Sequence, residues 1–131
     1  MMDRSWSYVA ATVICGVATL VAGCGGNRPQ PADRGVAREI LQTALESWKK
    51  GETPATLQER DPSITVADRE WAKGTRLLDY QVDDKDQLFG ADLRCTVRLT
   101  LDGARGQPRK KKATYSVGTN QTFTVVREDD D

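Results

Sequence analysis

Residues 91–101 alternate between apolar and polar side chains with a period of two. Leu93, Cys95, Val97, Leu99 and Leu101 fall on one side, and Arg94, Thr96, Arg98 and Thr100 on the other. Successive side chains of a strand point to opposite faces, so the pattern describes a strand with one dry face. That face must be covered, and the chain contains one segment suited to the task. Val36, Ala37, Ile40, Leu41, Ala44, Leu45 and Trp48 recur at helical spacing, while Glu39, Gln42, Thr43, Glu46 and Lys49 fill the opposite side. This is the stripe of an amphipathic helix. Asp33 is placed to cap its start, and Gly51, after Lys49-Lys50, to stop it.

The rest of the chain is read from shorter signals. Thr53-Pro54 suits the start of a short helical turn, which Asp61-Pro62 ends. Residues 63–67 read as an extended piece around Ile64 and Val66. Asp68 can cap a single turn over Arg69-Glu70-Trp71-Ala72-Lys73, with Gly74 as its stop. Leu78, Tyr80 and Val82 then alternate with Asp79 and Gln81, and residues 83–87 read as an acidic turn. Asp102-Gly103 opens a hairpin connection whose remainder, residues 106–111, is exposed and basic. Ala113, Tyr115 and Val117 mark the returning strand, residues 118–121 a turn, and residues 122–127 a last strand. The expected fold class is α+β: one long N-terminal amphipathic helix packed on a curved antiparallel sheet of three to four strands. It occupies a single domain over residues 33–127, followed by an acidic tail at 128–131.

The first fifth of the chain has a different character. Residues 9–22 are almost wholly apolar and follow a short segment containing Arg4. The length suits the apolar core of a secretory signal and is short of the ~20 residues of a spanning helix. The segment closes on Leu20-Val21-Ala22-Gly23-Cys24, which resembles the bacterial lipobox. The resemblance implies cleavage between Gly23 and Cys24, removal of residues 1–23 as a lipoprotein signal peptide, and fatty acylation at Cys24. Gly25, where an Asp would favour retention in the inner membrane, implies an outer-membrane lipoprotein facing the periplasm in a two-membrane envelope. Residues 24–32 then carry Gly25-Gly26-Asn27-Arg28-Pro29-Gln30-Pro31-Ala32, an aperiodic tether.

Charge and residue usage narrow the chemistry. Lys plus Arg and Asp plus Glu are equal at 19 each, which argues against nucleic-acid binding. The chain has no histidine, so His-based triads, bases and metal ligands are excluded. Cys95 is the one cysteine inside the domain and reads as a small buried hydrophobe. Trp48, Trp71, Tyr80 and Tyr115 are the candidate lining of a concave pocket, with membership of the core as the competing reading. Asp83, Asp84 and Asp86 lack the spacing of a calcium loop and read as a solvated turn. Arg109-Lys110-Lys111-Lys112 reads as a solvated hairpin run with the potential to meet an anionic surface. No catalytic, cofactor or metal residue is expected.

The order of one helix followed by antiparallel strands resembles the cystatin-like and nuclear-transport-factor-2-like superfamilies, in which a curved sheet wraps a helix. The functional expectation is a cell-envelope lipoprotein held to the membrane through Cys24. Its domain serves as a non-catalytic binding or assembly module for an envelope protein partner. The alternative is a small-ligand-binding or enzymatic domain of the cone-shaped fold that the resemblance implies.

Overall fold

The computed structural model describes residues 30–128. The leader, Cys24, most of the tether and residues 129–131 lie outside the described residues. Helix α1 (Arg34–Lys49) is followed by α2 (Pro54–Gln58), strand β1 (Ile64–Ala67), the single turn α3 (Arg69–Ala72) and strands β2 (Leu77–Phe89), β3 (Asp92–Asp102), β4 (Pro108–Gly118) and β5 (Phe123–Glu128). A 3₁₀ turn, Ala104–Gly106, sits between β3 and β4.

The helix forms where its stripe and caps place it. Asp33 accepts a hydrogen bond from the Val36 amide at 3.0 Å, and Gly51 ends the helix with φ +87°. Ala37, Ile40, Leu41, Ala44, Leu45 and Trp48 are buried, whereas Val36 at the first turn remains partly exposed. With 16 residues the helix is of ordinary rather than long extent. On the sheet, Leu93, Cys95, Val97, Leu99 and Leu101 of β3 are all buried, with Ala113, Tyr115 and Val117 of β4 and Val125 of β5. The fold is therefore α+β, with the helix stripe and one face of the sheet enclosing a common core.

Three expectations need correction. The sheet has five strands in the order β1-β5-β4-β3-β2 and is mixed, because β1 runs parallel to β5. Residues 64–67 find their partner nearly sixty residues later, a pairing that local periodicity does not encode. Second, residues 83–87 are not a turn but part of β2. Val82 opposes Val97 and Asp86 opposes Cys95, so residues 83–85 bulge out against Thr96. Arg38 holds the bulge by donating to the Asp83 carbonyl at 3.1 Å and to Asp86 Oδ2 at 3.0 Å, while Arg34 donates to Asp86 Oδ1 at 3.0 Å. A second irregularity places Leu78 out of register, so Leu77 is 1% exposed and Leu78 38%. Third, the basic run lies inside β4 rather than in a loop: Arg109, Lys110, Lys111 and Lys112 pair with Leu101, Thr100, Leu99 and Arg98. The pairing with β5 starts only at Thr114.

The two ends of the domain are also one residue larger than expected. Ala32, read as tether, is buried and its amide donates to the Ala91 carbonyl at 2.9 Å. Glu128, read as tail, closes β5 opposite Thr114 and binds Arg94 at 2.8 Å. Gly118 marks a close approach, since a Cβ there would meet Thr124 Oγ1 at 2.6 Å.

Because α1 covers the one core, Leu41→Ala should destabilise the domain by about 2–5 kcal/mol. Exposed Glu39→Ala should change stability by about 0.5 kcal/mol or less. Urea unfolding of the domain from Gln30 onward makes the comparison, and equal small effects would mean the helix is not packed.

Candidate functional site

The most concentrated polar chemistry lies where β1 leads into α3. Asp68 follows β1 directly and its Oδ1 accepts from the amides of Glu70 at 2.9 Å and Trp71 at 3.3 Å, the N-cap arrangement that the sequence suggests. The same carboxylate accepts from the Tyr115 hydroxyl of β4 and from Arg127 of β5 at 3.2 Å. The Asp68 and Arg127 side chains are only 1% and 7% exposed. A charge removed from water must be paired and hydrogen-bonded, and here α3, β4 and β5 each supply a donor. Burial, and then the charge and hydrogen bond of Asp68, push the Tyr115 hydroxyl far above its ordinary pKa. Next to it, Glu70 binds Thr75 at 3.0 Å and Arg109 at 3.3 Å. Burial works to raise the Glu70 pKa, but the Thr75 hydrogen bond and the charges of Arg109, Lys73 and Lys111 outweigh it and leave it lowered.

The four aromatic candidates do not share one pocket. Trp48 and Trp71 stack with ring centroids 5.4 Å apart and planes 9° from parallel. Both are buried, and their indole N–H groups donate to the Thr75 and Glu52 carbonyls, each at 2.8 Å. An open cleft of about 450 Å³ runs along this pair, with Glu52, Thr53, Gly74 and Arg76 at its rim. Glu52 is itself engaged by Ser47 and Arg60. Tyr115 is a core residue bound to Asp68. Tyr80 stands apart on β2 against α1, where its hydroxyl donates to Glu46; burial first, and then that carboxylate, push its pKa up to about 12.

Cys95 is fully buried, and burial followed by the charge of Asp86 raises its pKa to about 11. A thiol held protonated is a poor nucleophile. Asp86, from the acidic cluster considered for calcium, has its oxygens occupied by two guanidinium groups.

On the far side of the sheet Arg98 opposes Lys112 and Thr100 opposes Lys110. Together with Asp79 and Gln81 they border a shallow depression of about 400 Å³. The hydrogen-bonding role of Arg127 is not evident from periodicity alone. Its signal is that Phe123, Val125 and Arg127 share one face at period two, so an inward face that is otherwise apolar carries one cation that must meet an anion.

The folded domain holds the Cys95, Tyr80 and Tyr115 protons well above the values near 9 and 10 of the unfolded chain. Above those values the unfolded state binds fewer protons than the native one, so stability should fall as pH rises past about 9 and further past about 10. Tyr115→Phe should make the fall above pH 10 shallower. Urea unfolding at pH 8, 10 and 11 checks this, and an unchanged slope in the variant would contradict the assignment.

Comparison of the chain with family models, with curated proteins and with solved structures finds no match.

Proposed function

We propose that this chain is a cell-envelope lipoprotein, anchored through a fatty-acylated Cys24, whose domain is a binding or assembly module rather than an enzyme. The observation that carries the reading is the sequence Leu20-Val21-Ala22-Gly23-Cys24 at the end of an apolar segment. The first buried residue of the domain, Ala32, follows shortly after, so the anchor and the folded unit are separated by a brief tether.

The non-catalytic part of the reading rests on how the reactive groups are used. Asp68 is saturated with donors, Cys95 is a protonated core thiol, and the two tryptophans have spent their N–H groups on backbone carbonyls. Among the described residues no buried side-chain polar atom lacks a partner. Such a network holds a scaffold in place. The surface that remains for recognition is the solvent face of the sheet, where Thr96, Thr100, Arg98, Lys110 and Lys112 are displayed.

Cys24→Ala expressed in a bacterium should lose incorporation of labelled palmitate and retain the leader. Undiminished labelling in that variant would overturn the reading.

A further inference from the structure

We propose that the tip of the β2–β3 hairpin, Leu88-Phe89-Gly90-Ala91, is the surface with which the domain docks onto the phospholipid bilayer. The inference deepens the anchored reading and rests on lipidation of Cys24.

The chain enters the domain at this tip. Ala32 is buried and its amide is bonded to the Ala91 carbonyl, so the last tether residue is fastened to the hairpin turn itself. From Cys24 to Ala32 the chain can span at most ~29 Å, at ~3.6 Å per residue. Strand β3 runs 11 residues from this tip to the opposite end of the sheet, roughly 33 Å at ~3.3 Å per residue. The opposite end, with the 3₁₀ turn and the start of β4, therefore lies beyond even the taut tether. The hairpin tip is the end held beside the bilayer.

Its chemistry fits that place. Phe89 is 60% exposed, the highest value among the large exposed hydrophobic side chains of the described residues, and Leu88 beside it is also exposed. Gly90, at φ +61°, makes the tight turn. The four residues carry no charge, in contrast to the charged segments on either side. The Arg94 guanidinium, which also pairs with Glu128 at 2.8 Å, lies 3.6 Å over the Phe89 ring behind the apolar tip. An aromatic and an aliphatic side chain at a turn, backed by an arginine, suit the boundary between acyl chains and phosphate headgroups. The basic residues Lys110 and Lys112 pair with Thr100 and Arg98, farther along the sheet from this tip.

The test uses the mature lipidated chain reconstituted into vesicles of phosphatidylethanolamine and phosphatidylglycerol. A nitroxide is attached at Ala91→Cys or, at the far end, at Ala104→Cys. The native cysteines do not interfere, since Cys15 leaves with the leader, Cys24 is acylated and Cys95 is buried. Power saturation should show the label at 91 severalfold more accessible to oxygen than to a nickel chelate, with the label at 104 favouring the chelate. Adding Phe89→Ser should return the label at 91 to the behaviour of 104. If the chain carries lipid and floats with vesicles but both labels favour the chelate equally, the docking inference is overturned and the anchored reading stands. If the label at 91 is shielded from both reagents in proportion to protein density, a second copy covers the tip and the inference is likewise overturned. If the chain carries no lipid, both readings fall.

Discussion

The buried carboxylate of Asp68 is the interaction on which one whole side of the domain depends. Strand β1 is short, lies at the edge of the sheet and is the one strand joined in parallel to its neighbour. Parallel pairing needs a crossover, and the chain makes it by passing through α3 and three further strands before β5 returns beside β1. Asp68 stands at the first step of that path and is tied to Tyr115 and Arg127 near its end. Removing Arg127 would leave the Asp68 charge unmatched in a dry place, so the contact fixes the geometry more firmly than an exposed ion pair could.

The opposite border is organised by a second set of charges with a different function. Arg34 and Arg38 of α1 converge on Asp86, which the bulge in β2 turns toward the helix. Arg34 is largely exposed, so this set defines the register of helix on sheet more than it adds stability. Between the two borders the core is apolar, and the stacked Trp48 and Trp71 close it from α1 to α3. The consequence for function is that the interior is committed to structure. The groups left exposed lie on the uncovered face of the sheet and at the hairpin tip beside Ala32.

What the sequence discloses and what it hides follow from the range of the forces involved. The α1 stripe, the alternation of β3 and the caps at Asp33 and Asp68 are local patterns and are visible residue by residue. The parallel β1–β5 pair is not, because its two halves lie far apart in the chain and neither predicts the other. Residues 83–87 look like a turn since acidic residues favour turns, yet two arginines on the helix pair with Asp86, and one of them also binds the Asp83 carbonyl, which holds the segment within the strand. The run from Arg109 to Lys112 looks like a loop, but lysines tolerate a strand whose outer face and neighbouring edge are open to water. The aromatic set was legible as large and scarce residues; that Tyr115 would meet Asp68 while Tyr80 met Glu46 depends on tertiary register.

The most direct measurement is a double-mutant cycle across the corner, with Asp68→Asn, Arg127→Met and the pair combined, read by urea unfolding at neutral pH. A contact between two buried charges predicts a coupling energy of roughly 1–3 kcal/mol, with each single substitution more harmful than its share of the double. Effects that add to within about 0.5 kcal/mol would show that Asp68 and Arg127 act independently. The corner would then have to be held by its apolar packing alone.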